Sequence, residues 1–225
     1  MAITTTDAAL LRLLQLSSAA LPVGAYAFSQ GMEAAIEAGW LPDSAATADW
    51  LQVQLEQSLA HTDLPLLSRS LAAARACDEH ALVHWNDLGL ALRETAELRL
   101  AELAMGEALL RLLDHLEIPV PLSDRSDTGY ITTFAVAASH FEIDTRPALT
   151  GFAWSWLENQ VAAATKLVPL GQNAAQQILG ELLEYLPAAV DTALALEDEH
   201  IGASLPGLAL ASSWHESQYS RLFRS

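Results

Sequence analysis

Basic residues are scarce in this chain. Eleven Lys and Arg face 28 Asp and Glu across 225 residues, for a formal net charge of −17 and a pI near 4.5. Nucleic-acid binding and attachment to anionic membranes both need cations that this surface lacks. A single cysteine, Cys77, excludes an internal disulfide and points to the cytoplasm. No apolar run approaches the roughly 18 residues of a membrane span without a charge or proline, so no membrane contact is expected. The start, MAITTTDAALL, has no basic region, which argues against a secretory signal. Also missing are GxSxG, the P-loop GxxxxGK[ST], HExxH and CxxC, so no hydrolase, nucleotide or structural-metal motif is present. An acidic surface suits a basic protein partner, although acidity also simply keeps a protein soluble.

What is present is helix. Alanine and leucine dominate a 52% hydrophobic composition, and no stretch alternates as a strand would. Asp7 is expected to cap a first helix that turns Leu10, Leu11, Leu13 and Leu14 toward the core, ending before Leu21-Pro22-Val23-Gly24. A short helix fits Ser29–Ala38, with Gly39 ending it. Asp43 or Ser44 caps the next, carrying Trp50, Val53, Leu55 and Leu59. Separate helices then fit Asp63–Ala76, Glu79–Leu92 and Thr95–Leu116. The polar run Leu122–Gly129 is the clearest loop. Asp127 or Thr128 starts another helix, and Asp144 or Thr145 caps one with Pro147 in its first turn. Two more fit Gly171–Leu186 and Pro187–Glu199, followed by a turn at Gly202–Gly207 and the tail HESQYSRLFRS. The expectation is one all-α domain over 1–225, a bundle of about ten mostly antiparallel helices without a sheet, with 212–225 as a partner-docking tail.

The stretch NQVAAATKLVPLGQ, Asn159–Gln172, is a helix end followed at once by a helix start. Trp154, Leu157, Val161, Ala164 and Val168 share an apolar face, and Pro169 stops the helix. Lys166, the only lysine, falls in the last turn, where carbonyl dipoles favour a cation. Asn159, Ala162, Ala163 and Lys166 form a neighbouring stripe open to close approach. A helix-end lysine and a contact corner both fit this pattern.

Catalytic constellations are absent from the reading. His80 and His84 lie four apart on one helix, which is half a metal site or a surface pair. His200 follows Glu197, Asp198 and Glu199, and no second histidine is near in sequence. Cys77, without a partner motif, reads as a buried or half-buried side chain. Groups suited to contact remain. Tyr26 and Phe28 sit in a Gly/Pro-broken segment. Trp154 and Trp156 occupy different faces of one helix, so one of them is a candidate for a dimer interface or for the core. The tail offers Tyr219, Arg221, Phe223 and Arg224, an aromatic–arginine mixture typical of interface hot spots.

Four blocks in order give the chain a resemblance over nearly its whole length. They are Leu14–Glu33 (LQLSSAALPVGAYAFSQGME), Glu97-Leu98-Arg99 with Met105-Gly106, Asn159 with Lys166–Gln172 (KLVPLGQ), and Glu199-His200 with His215–Phe223 (HESQYSRLF). Together these resemble the urease accessory protein F family. The resemblance implies an all-helical, non-enzymatic homodimer without a cofactor. It implies binding to urease accessory protein D, called H in some organisms, and through that complex to the accessory GTPase G. The assembly would deliver nickel to apo-urease with GTP hydrolysis. By position, Tyr26 and Arg221 match residues tied to GTPase recruitment, Lys166 matches the lysine of the central motif, and the tail from about Trp214 matches the part that docks on protein D. Two other readings stand beside this scaffold: a regulator of the partner's GTP hydrolysis acting through an arginine, and a nickel carrier using His80, His84 or His200. Ala135 and Phe141 replace glycines usual in the family, and Ala25 and Ala27 replace more polar neighbours of Tyr26.

Overall fold

The computed structural model describes residues 6–168 and 170–225. Among them are eleven α-helices and no strand. The helices are α1 (Asp7–Leu16), α2 (Met32–Glu37), α3 (Ser44–Val53), α4 (Leu64–Ala76), α5 (Glu79–Ala91), α6 (Ala96–His115), α7 (Tyr130–His140), α8 (Thr145–Leu167), α9 (Gln172–Leu183), α10 (Leu186–Ala195) and α11 (Pro206–Ser217). Side-chain caps sit where short polar residues precede apolar runs. Asp43, Asp78 and Thr95 accept from the backbone N–H three residues on and so satisfy an orphan donor of α3, α5 and α6. Thr6, not Asp7, does this for α1.

Around α7 the core is deepest. Every residue from Tyr130 to Ala138 is buried, between α4 on one side and α6 on another. Tyr130, Phe134 and Phe152 pack with ring centres 5.2 to 6.0 Å apart. The α6–α7 approach depends on Gly106, where an added Cβ would stand 2.2 Å from the Thr128 carbonyl oxygen. A smaller cluster joins α2, α3, α8, α9 and α11 through Met32, Leu51, Leu157, Ile178, Leu182 and Ala211.

Four expectations need correction. First, α3 and α4 are not separate: Gln54–Asp63 winds between them as a π-helix, and Leu64 N–H donates to Leu59 O in the five-residue register. Pro65 lacks an N–H, so the wider turn is accommodated just where an α-helical hydrogen bond would be lost anyway. Second, α1 buries Ala9 and Leu16, with Leu13 half-buried against the Gly151 side of α8, and turns Leu10, Leu11 and Leu14 outward. A run of leucines is compatible with more than one helical face, and the packing against α8 selected this one. Leu11 and Leu14 are 66% and 60% exposed. Leu14→Ser is therefore expected to change stability by no more than about 0.5 kcal/mol in urea unfolding, as for an ordinary surface substitution; a loss near 2 kcal/mol would mean that the side chain is buried.

Third, the expected turn at Gly202–Gly207 gives way at Pro206 to a helix through Ser217, so the first part of the expected 212–225 tail is helical. Leu208, Ala211, Ser212 and His215 lie at helical spacing and are all buried. Fourth, Cys77 is exposed. It occupies the left-handed position that ends α4, with φ 53°, and points away from the core. No helix among the described residues is long and apolar enough to cross a membrane.

Candidate functional site

Two buried carboxylates organise the end of the chain. Glu33 in the first turn of α2 and Glu97 in the first turn of α6 flank His215 of α11. The imidazole Nδ1 is 2.7 Å from Glu97 Oε2, and Nε2 is 3.1 Å from Glu33 Oε2. A carboxylate can only accept, so with both glutamates ionised both ring nitrogens donate and the group between them is an imidazolium. Glu97 Oε1 accepts from the Arg221 guanidinium at 3.0 Å. Two carboxyl groups thus meet an imidazole and a guanidinium, three of the four side chains being fully or nearly buried.

The same glutamates anchor residues 218–225. Glu33 accepts from the backbone N–H of Leu222 (2.7 Å) and of Phe223 (2.9 Å). Arg224 N–H donates to Ala27 O, and Ser225 O accepts from Ser29 N–H, Ser29 Oγ and Gln30 N–H. The chain end is therefore bonded to the Gly24–Gly31 loop that carries Tyr26. That loop turns through Gly24 (φ 74°) and Gly31 (φ 82°). Gly31 also packs on α11, and a Cβ there would lie 3.0 Å from Ser212 N. No larger residue suits both its φ and its neighbour.

Four of the residues singled out from the sequence come together here. Lys166, at the exposed end of α8, places Nζ 6.0 Å from the Tyr26 ring centre and 5.5 Å from that of Phe223. A cation between two aromatic faces is favourable. Tyr26 is 67% exposed, Phe223 is buried, and Arg221, part-exposed, is tied to Glu97. Tyr219 is wholly exposed on the tail. Helix α8 ends at Leu167 with Val168 extended; Pro169, expected to stop it, lies outside the described residues. Trp154 and Trp156 are both half-buried against their own chain's core, and Trp156 Nε1 donates to Gln30 Oε1 at 2.8 Å.

The loop bearing Tyr26 also walls a cavity of about 90 Å³, through Ala25, Phe28 and Gln30. Across it lie Asp63 of the π-helix, Arg93, and Glu102 of α6. Arg93 bonds Asp63 at 2.7 Å and Glu102 at 2.9 Å. Burial alone would loosen the Arg93 proton, but the charges of Asp63 and Glu102 outweigh it and hold the guanidinium above the usual arginine range. Glu102 Oε1 also accepts Ile131 N–H at the start of α7, where the helix dipole favours an anion. Burial, and next the Glu102 charge, push the Tyr130 hydroxyl up, against a hydrogen bond with Ser155. Three buried atoms of the cavity-lining residues, Thr62 Oγ1, Arg93 Nε and Gln160 Oε1, have no protein partner.

His80 and His84 are exposed on α5. Among the described residues, Glu197, Glu199 and His200 form the group whose ligand atoms all lie within 4.8 Å of one another. All three are exposed, and His200 is not joined by His80 or His84.

The UreF family profile matches residues 41–183. The chain belongs to the UreF family of urease accessory proteins. The urease accessory protein UreF of Marinomonas sp. (strain MWYL1) is 54% identical over 223 residues, covering 99% of this chain and 97% of that protein. That of Alkalilimnicola ehrlichii is 50% identical, covering 95% of each chain. That of Chromohalobacter salexigens is 49% identical, covering 96% of this chain and 95% of its own. Membership in the UreF family gives the chain a role in urease maturation. The UreF profile spans the stretch from Leu41 through α9, whereas the Marinomonas relative, matched over 99% of this chain, also covers the Tyr26 loop and nearly all of the tail.

What sequence reasoning did not find is the role of Glu33, Glu97 and His215. Each lay inside a recognised block, yet their pairing joins residues 118 and 182 positions apart. The one available signal was His215 at helical spacing from Leu208 and Ala211, which places an ionisable group on an apolar face.

Proposed function

We propose that this protein is a non-enzymatic scaffold that bridges urease accessory protein D (H in some organisms) and the accessory GTPase G. In this reading the assembly inserts nickel into apo-urease as GTP is hydrolysed, in the cytoplasm, with the scaffold as a homodimer. The observation that carries the reading is the meeting of exposed Lys166 with Tyr26 above the buried ring of Phe223, with Arg221 held on Glu97 along the same docked tail. Such a surface offers the exposed Tyr26 ring and two cations, the makeup of a protein-binding hot spot. Tyr219 lies outside it and is free to meet protein D along the tail. Trp154 is the better of the two tryptophans for a dimer contact, because Trp156 is already pinned to Gln30.

Docking suits Arg221 better than entry into the GTPase active site. Its guanidinium is held by a buried glutamate, and an arginine finger would have to give up that bond and leave Glu97 with His215 alone. Among the described residues, the group a nickel-carrier role could draw on is the exposed Glu197–Glu199–His200.

Arg221→Ala and Tyr26→Ala are each expected to weaken capture of GTPase G by the D-bound protein by about 2 kcal/mol. Quantitative pull-down with purified D and G checks this, with circular dichroism to confirm folding. Capture at wild-type strength by both variants would remove the surface from the assembly.

A further inference from the structure

Three indoles meet on a face built from the end of α2, from α3 and from α11. Trp40 has its ring centre 5.0 Å from that of Trp214 and 6.3 Å from that of Trp50. Trp40 and Trp214 stay 38% and 45% exposed, and Leu210, one turn before Trp214, is 49% exposed. Exposed apolar side chains are ordinary when scattered; contacting indoles beside a leucine make a patch. The elements that carry the indoles hold charge of one sign. Residues 32–53 and 206–217 contain no lysine or arginine, and their exposed ionisable residues are Glu37, Asp43, Asp49 and Glu216. Trp214 also sits in the last turn of α11, where the helix carbonyls present negative potential. Indole faces, carboxylates and a helix C-terminus all favour the same visitor, a planar cation on an apolar stem.

We infer that Trp40, Trp50 and Trp214 form a docking surface for a basic, arginine-bearing segment of a partner protein. A guanidinium stacks on the exposed indoles, a neighbouring aliphatic side chain covers Leu210, and the acidic flank holds the remaining charge. The surface differs in kind from the one around Tyr26. There this chain supplies the cation, through Lys166; here the partner does. A second copy of the same face is a poor occupant, because a twofold contact would press the acidic flanks together. The inference goes beyond the docking of the tail from about Trp214, because it adds Trp40 and Trp50 and names the chemistry of the segment that meets them.

The test titrates the full chain with the synthetic peptide acetyl-Arg-Leu-Arg-Leu-Arg-amide, read by indole fluorescence and calorimetry. Saturable binding that weakens with salt is expected, together with no binding of the peptide with glutamate in place of arginine. Trp214→Ala and Trp40→Ala should each weaken binding on the order of tenfold, Trp214→Phe less, and Leu100→Ala, an exposed leucine on α6, not at all. Equal binding by both alanine variants, or by a peptide with norleucine for arginine, overturns the proposal. So does sedimentation showing that Trp214→Ala turns a dimer into monomers, which would make the face a self-interface.

Discussion

Glu33→Ala is expected to lower unfolding stability by about 3–5 kcal/mol, the range for removing one member of a buried charge pair. The loss has named parts. His215 keeps only the Glu97 contact at 2.7 Å, and the backbone N–H groups of Leu222 and Phe223 lose the acceptors they have at 2.7 and 2.9 Å. Removing an acceptor from a buried donor costs the donor's full desolvation, which exceeds the net value of the bond. Urea unfolding with amide exchange at Phe223 separates the two consequences. Exchange at Phe223 should become fast even in conditions where the helical core stays protected, because the tail loses its anchor before the bundle loses its packing. Glu33→Gln should fall between, since it keeps the volume and one accepting oxygen but not the charge. A loss below about 1 kcal/mol for Glu33→Ala would show that the cluster is not an ionic pair at all.

Arg93→Ala is expected to cost a similar amount, about 3–5 kcal/mol, for the opposite charge. The guanidinium stands between Asp63 and Glu102, both buried, and among the described residues no other arginine or lysine bonds either carboxylate. Without it two anions face one cavity. Its effect should be felt in two places: Asp63 is the last residue of the π-helix, and Glu102 holds the first turn of α7 through Ile131. Arg93→Lys should recover only part of the loss, because one ammonium cannot match the spread of a guanidinium across two acceptors. The measurement is the denaturation midpoint with slope unchanged. A midpoint within experimental error of wild type for Arg93→Ala would mean that water already screens the pair.

Local chemistry made much of this architecture legible. Asp43 and Thr95 cap helices where short polar residues precede apolar periodicity, the loop at 122–129 falls where turn formers cluster, and α8 ends beside Lys166. Each of these is settled within a turn or two of backbone. The errors fall elsewhere. Leu10, Leu11 and Leu14 were expected to face inward on spacing alone, but a helix rich in leucine does not say which stripe its neighbour covers. Cys77 was expected to be at least half-buried from its residue type, and a left-handed helix end turned it outward. The π-helix depends on where Pro65 falls relative to a continuing helix, and α11 is carried by buried Leu208 and Ala211, whose partners lie far away in sequence.

The candidate site divides in the same way. Tyr26, Lys166, Arg221 and Phe223 stood out as candidate contact residues by their types, their broken or terminal segments and their resemblance to a known family. That three of them surround one cation–aromatic contact was not recognisable, and neither were the glutamates that seat the tail. By itself the sequence determined the helical class, most of the stops between helices, the excess of acid and the absence of catalytic motifs, since each follows from composition or from interactions over a few residues. Only the tertiary structure decided which faces are buried, which carboxylates share His215 and where the tail rests, because burial and charge pairing depend on groups brought together from across the chain.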